Sequence, residues 1–131
     1  MVTLATQLIP GNTITPLSFD TLVRDDGGFY SAGSPTTLTV PTGGAGWYSA
    51  LCSVSTSGTS IYHQFGFNKN GAVAPGLPYL IPSPSSSIVG VFLTSGLAYF
   101  ADGDYLTCLY YSGTGSAETV NNGNMALVRI H

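Results

Sequence analysis

Apolar and polar residues alternate at a period of two along much of this sequence. In Thr36-Thr37-Leu38-Thr39-Val40, threonines separate Leu38 from Val40. Further on, Tyr48, Ala50, Cys52 and Val54 fall on one face, with Trp47, Ser49, Leu51 and Ser53 on the other. A period of two is the repeat of a β-strand, whose successive side chains point to opposite faces. The first set is therefore expected in a core and the second outside it. Residues 14–23, 60–69, 88–94, 97–100, 105–111 and 125–130 carry similar strand character.

Punctuation between these runs is turn-like. Pro41-Thr42-Gly43-Gly44-Ala45-Gly46 follows the first run, Asn70-Gly71 is a strong hairpin dipeptide, and Ala101-Asp102-Gly103-Asp104 separates two later strands. The strands at 47–56 and 60–69 are expected to pair antiparallel with each other. Pro75, Pro78, Pro82 and Pro84 mark residues 74–87 as an edge segment or surface loop, because proline donates no ladder hydrogen bond. Ser112 to Asn124 reads as a flexible loop by composition. No run of a dozen residues repeats apolar positions at i, i+3 and i+4. The expected fold is all-β, a jelly-roll β-sandwich of about eight to ten antiparallel strands.

A chain of 131 residues has room for one domain. Residues 1–13 are read as an N-terminal arm and residues 14–131 as the jelly-roll domain. The first ten residues lack the positive n-region and long apolar h-region of a secretory signal, so the chain is expected to be made in a cytoplasm or to have lost its signal. The longest apolar stretch, Ile88 to Ala101, is broken by Thr94, Ser95 and Gly96 and is too short for a membrane span.

Charge narrows the partners. Only 7% of residues are charged, and Arg24, Lys69 and Arg129 are the only Lys or Arg side chains. Displacing counterions from phosphates takes several such groups, so nucleic acid is excluded as a partner. A net charge of -3 is too small to steer a cationic ligand, and so sparse a charge leaves surface free to pack against protein. Cys52 and Cys108 are too few and too far apart for a zinc knuckle or a CxxC motif. Two buried thiols are the favoured reading, and a single disulfide is the alternative.

Catalytic chemistry finds little footing. Nucleophilic catalysis needs a Ser or Cys beside an oriented His, and the only histidines are His63 and the terminal His131. His63 reads as a half-exposed sheet residue. Asp25-Asp26 and Asp102-x-Asp104 are the acidic clusters, and both sit in glycine-containing turns where Asp bonds nearby backbone amides. Calcium is the sharper alternative for them, though neither spacing is that of an EF-hand. Gly43-Gly44-Ala45-Gly46 lacks the following Lys and helix of a phosphate cradle. Tyr105, Tyr110 and Tyr111 are either cross-strand residues or a stacking surface for sugars. No enzyme activity, cofactor or metal is expected.

The order of landmarks resembles the globular head of the complement C1q and tumour-necrosis-factor superfamily over roughly Thr15 to Ile130. The residues that carry the likeness are Gly27-Gly28-Phe29-Tyr30, Thr39-Val40-Pro41, Gly46-Trp47-Tyr48, Leu97, Gly103-Asp104, Leu106-Thr107-Cys108 and the apolar final strand. By that register Tyr48, Ala50, Cys52, Leu106, Cys108 and Tyr110 point between the sheets. There is no collagen-like stalk, and the family's usual Phe-x-Gly-Phe reads Asn124-Met125-Ala126-Leu127. The chain looks more like the domains of this type found on bacteriophage capsids and tail fibres.

The resemblance implies a homotrimer. Trp47 and Leu51 are the candidate interface residues, because an outward Trp is more often covered by a partner than left wet, with contact to a local loop as the alternative. The leading expectation is a non-enzymatic virion structural protein, a capsid decoration protein made in the host cytoplasm and seated on the capsid surface. Its partner would be the major capsid protein, touched by Val2, Leu4, Leu8 and Ile9 of the arm. The alternative is a receptor-binding head of a tail fibre, recognising a host glycan or protein through residues 75–87 and 112–124.

Overall fold

The computed structural model describes residues 1–57, 62–84, 89–113 and 115–130. The expectations for residues 58–61, 85–88, 114 and 131 fall outside these. In chain order the strands are β1 (Val2–Ile9), β2 (Thr15–Pro16), β3 (Thr21–Leu22), β4 (Thr37–Thr39), β5 (Gly46–Ser57), β6 (Tyr62–Lys69), β7 (Ile81–Pro84), β8 (Val89–Phe100), β9 (Tyr105–Ser112) and β10 (Glu118–Ile130). No helix forms among the described residues, and so none is long and apolar enough to cross a membrane.

Two antiparallel sheets stack as a sandwich. The first runs β3-β1-β10-β5-β8, the second β2-β9-β6-β7, with β4 also paired to β9. The fold is therefore all-β and jelly-roll, as the alternation implied. The expected pairing of residues 47–56 with 60–69 is not made. β5 pairs with β10 and β8, whereas β6 pairs with β9 and β7 in the other sheet. Adjacent strands share similar apolar patterns, so sequence order does not decide between a hairpin and a crossing from sheet to sheet.

The core lies between the sheets. Tyr48, Ala50, Cys52 and Val54 of β5 face Leu106, Cys108 and Tyr110 of β9, and all seven are buried, as the period-two reading required. Cys52 and Cys108 are joined in a disulfide, which overturns the favoured reading of two free thiols. Facing positions on the inner sides of two stacked sheets bring the side chains together, although 56 residues separate them in sequence.

Two segments read as irregular are strand, and two expected strands are one. The supposed arm is β1, which pairs with β10 from Val2↔Met125 to Ile9↔Glu118 and with β3 on its other side. Val2, Leu4 and Ile9 are buried in the core. An uncharged segment with alternating apolar residues is also what a half-buried strand looks like, and β10 pairs with it along its length while β3 flanks Val2 and Thr3. The supposed loop Ser112 to Asn124 contains the first half of β10, whose register shifts between Asn121 and Gly123. Residues 89–100 form one continuous strand and not two.

Other local signals hold. Asn70 and Gly71 both adopt positive φ (53° and 76°), and Lys69 and Ala72 exchange both backbone hydrogen bonds around them. That is the two-residue hairpin turn expected of Asn-Gly. Proline-rich β7 pairs only with β6 and lies at the sheet edge. Gly76, at φ 81°, lies so close to β8 that a Cβ would come within 2.0 Å of the Leu97 carbonyl oxygen.

Candidate functional site: the outer face of the first sheet

Strand alternation that buries one set of side chains in β5 and β8 exposes the other. Register places Tyr99, Trp47 and Ile130 in one row across β8, β5 and β10, and Leu97, Ser49 and Val128 in the next. Ser95, Leu51 and Ala126 follow, then Leu93, Ser53 and Asn124. Trp47, Leu51, Leu93, Leu97, Tyr99, Val128 and Ile130 are all exposed, as is Val91. Trp47 and Tyr99 meet edge to face at 6.1 Å between ring centroids. The result is a contiguous apolar surface three strands wide, where monomeric proteins rarely leave large apolar side chains in water.

Toward its far end the same face becomes polar. The Thr6 hydroxyl donates to Asn121 Oδ1 at 3.1 Å, the Asn121 amide donates to Ser57 at 2.8 Å, and the Asn124 amide donates to Ser53 at 3.3 Å. Ser55 donates to the Asn121 carbonyl. These side chains bond one another, while Val91, opposite Ser55, stays exposed beside them.

Of the sequence-chosen interface residues, Trp47 (55% exposed) and Leu51 (37%) both lie on the apolar face. Trp47 touches a neighbouring strand through Tyr99, yet more than half of it stays open. Sequence reasoning missed Val91, Leu93, Leu97, Tyr99, Val128 and Ile130. Residues 89–100 are apolar at both parities, a pattern that reads as a strand buried on both faces. Of the four proposed capsid contacts, Val2, Leu4 and Ile9 are core residues and are withdrawn, and only Leu8 is exposed. The buried three belong to the first sheet's packing and have no surface to offer.

The acidic clusters do structural work. Asp25 accepts from the Phe29 and Tyr30 amides at 2.8 and 2.9 Å, and Asp26 pairs with Arg24 at the surface. Asp102 accepts from the Gly43 and Ala45 amides at 2.7 and 2.8 Å, and those amides hold its carboxyl below the usual range. Asp104 bonds Lys69, Asn70 and the Ala101 amide, and the Lys69 ammonium above all holds it down to about 2. Asp102 thus ties the turn after Val40 to the turn before β9. Among the described residues no three His, Cys, Asp or Glu side chains come together as a metal site.

His63 is not half-exposed as the sequence suggested but fully buried. It packs 4.9 Å from the Phe92 ring and lies within 2.5 Å of the Tyr110 hydroxyl, which also reaches Glu118. Burial, together with the Glu118 charge, pushes the Tyr110 hydroxyl well above the ordinary tyrosine range.

One large groove, about 960 Å³, opens between the first turns of the chain and the end of β10. Leu22, Val23, Phe29 and Leu127 line it, with the Arg24–Asp26 pair and Arg129 among its polar residues. Arg129 is held by the Ala45 carbonyl at 2.9 Å.

The chain's fold is that of C1q and TNF-family globular domains. It is similar to the globular domain of zebrafish complement 1qA protein at TM-score 0.61 and 16% identity, over 99% of this chain and 97% of that one. It is also similar to murine APRIL at pH 8.0, with TM-score 0.60 and 12% identity over 94% of each chain. To murine APRIL at pH 8.5 it is similar at TM-score 0.57 and 13% identity, over 91% of this chain and 94% of the other. No protein-family model matches the sequence, and comparison with curated proteins gives no match.

Proposed function

We propose that this chain is a non-enzymatic binding and assembly domain that forms a homotrimer through the outer face of its first sheet. The observation that carries the reading is the registered apolar surface of Trp47, Leu93, Leu97, Tyr99, Val128 and Ile130, left exposed on a domain with 7% charged residues. Burying it removes large apolar side chains from water at about 25 cal/mol per Å², the term that drives most protein association. C1q- and TNF-like domains share the fold and supply the threefold arrangement by analogy.

The finer reading is a bacteriophage capsid decoration protein on the particle surface, bound to the major capsid protein. Its support is the likeness of the landmark order to phage domains of this type, the sparse surface charge and an inter-sheet disulfide suited to an oxidising exterior. With Val2, Leu4 and Ile9 in the core, contact with a shell falls to Leu8 and other surface residues. The groove beside Arg24 and Arg129 favours a second reading, a tail-fibre head that binds a host glycan or protein there.

Sedimentation equilibrium of the whole chain tests assembly. The expected mass is about three times 13.5 kDa, and Trp47→Glu with Leu97→Glu should reduce it to that of one chain. A wild-type monomer at micromolar concentration would refute the trimer. Copy number in purified particles then separates the finer readings. Hundreds of copies mean a shell component, a handful mean a fibre tip, and none removes the virion placement.

A further inference from the structure

Along one side of the sandwich the two sheets do not end in step. β5 faces β9 through the Cys52–Cys108 disulfide, and β8 faces β6, where the Phe92 ring packs 4.9 Å from His63 and 6.3 Å from Phe65. The first sheet stops at β8, whereas the second continues past β6 to β7. Among the described residues β7 therefore has no strand opposite it. Ile81 shows the consequence. It sits directly across from the buried, inward Phe65 and so projects to the same side, yet it is 51% exposed.

The edge of β8 that borders this gap is a row of open backbone groups. The Leu97 N–H points away from β5 and donates to the Gly76 carbonyl at 3.0 Å. Backbone direction alternates along a strand, so Val91, Leu93 and Ser95 aim their N–H and C=O groups at the same edge. The Tyr99 carbonyl there accepts from Lys69 Nζ at 2.9 Å. Among the described residues no hydrogen bond reaches the free edge of Val91, Leu93 or Ser95. Behind it lies a slot of about 260 Å³ lined by Phe65, Ile81, Pro82 and residues 91–94. Thr94 in that lining is 7% exposed, and its hydroxyl has no hydrogen-bond partner. A buried hydroxyl left unpaired is disfavoured until something completes it.

Farther along the same edge the chain fills the equivalent place itself. Residues 76–78 lie against Gly96 and Leu97, with the Gly76 carbonyl on the Leu97 N–H and the Leu77 side chain buried in the core. Backbone at the edge and an aliphatic side chain inside are thus what complete this side. The slot is smaller than the roughly 300–1,000 Å³ of a small-molecule site, and none of the described residues lining it is charged. It suits uncharged side chains carried on a strand. β8 of a second copy does not meet that need, because its inward Phe92 and Thr94 are already buried in their own core.

We propose that the free edge of β8 is a docking site for an extended, uncharged segment of another polypeptide, which joins the first sheet as a sixth strand opposite β7. Its backbone pairs with Val91, Leu93 and Ser95, alternate aliphatic side chains enter the slot against Phe65 and Ile81, and a polar inward side chain completes Thr94. The site uses the backbone edge and the gap behind it, not the outer side chains assigned to the trimer. It stands whether or not the chain is a trimer.

The probe is a synthetic peptide, acetylated and amidated, that alternates valine with serine between terminal lysines. In amide exchange of the whole chain, excess peptide should slow Val91, Leu93 and Ser95 at least about tenfold, while Phe92 and Thr94, already bonded to β5, stay unchanged. Two further peptides carry N-methyl groups on either the valines or the serines. A strand at the edge directs only one alternate set of amides at β8, so one methylation should abolish binding and the other spare it. Leu93→Pro removes a donor that the β5–β8 ladder does not use, and should weaken the peptide at least about tenfold with little change in Tm. If that variant does not fold, the methylated pair still decides. No protection at millimolar peptide, or equal binding of both methylated peptides, would overturn the proposal. So would edge amides in the peptide-free chain whose protection rises with protein concentration, since a second copy would then hold the edge.

Discussion

In β5 and β8 of the first sheet the outward side chains include Trp47, Leu51, Leu93, Leu97 and Tyr99, all exposed. In β9 of the second sheet the outward Thr107 and Leu109 are buried, at 7% and 4%. Both sheets obey the same alternation, yet the outward positions of β9 are covered within the chain and those of β5 and β8 are not. Polar groups are distributed the opposite way. Two of the three ionisable members of the buried trio, His63 and Tyr110, belong to the second sheet. The difference teaches that alternation alone does not decide coverage: the outer side of β9 is covered within the chain, while that of β5 and β8 is left open, and the proposed trimer rests on that open face.

The largest effect expected is from deleting residues 2–9. If β1 is structural and not an arm, the deletion strips a paired strand from the first sheet and exposes β10, so no cooperative unfolding transition should remain by circular dichroism. A stable domain lacking these residues would restore the arm. Next comes the link between the sheets. Reducing the Cys52–Cys108 disulfide reopens a span of 56 residues, and loop-closure entropy for that span amounts to about 4 kcal/mol. Calorimetry with and without reductant should show Tm falling by roughly 10–20 °C. A shift of only a degree or two would mean that packing alone holds the sheets together.

A smaller effect belongs to acid. Lys69 and Asn70 lower the Asp104 carboxyl from 3.8 to about 2 in the folded chain. A depressed folded pKa stabilises above the unfolded value, so this contribution is complete above about pH 4 and is lost as pH falls through 2. Asp104→Asn should reduce stability near neutral pH by about 1–2 kcal/mol and flatten the profile between pH 4 and 2, measured by urea unfolding. The smallest change is Leu8→Ser. Leu8 is 67% exposed on the first sheet, so unfolding free energy should move by no more than about 0.5 kcal/mol. If the substitution nevertheless weakens binding to a purified shell, the capsid reading is sharpened to that residue.

Much of the architecture was legible because alternation is a local property. The inward set Tyr48, Ala50, Cys52 and Val54, the Asn70-Gly71 turn, the edge position of the prolines and the outward Trp47 follow from side-chain direction and turn chemistry within a few residues. The errors came where one local pattern serves two global ends. Val2 and Leu4 alternate as an extended arm would and as a paired strand does, and only the presence of β10 and β3 on either side makes them core. Residues 89–100 are apolar at both parities, and nothing in that run says which parity meets solvent.

Sequence by itself determined an all-β domain with sparse charge, its principal inward residues and the turn that Asn70 and Gly71 form, since each depends on neighbours a few bonds away. Tertiary structure alone decided the sheet-to-sheet crossing between β5 and β6, the Cys52–Cys108 bond, the assembly of the full apolar face and the meeting of His63, Tyr110 and Glu118. Those are pairings between strands distant in sequence. They are selected by which stacking buries the most apolar surface with every backbone group bonded, a sum over the whole chain that no single segment records.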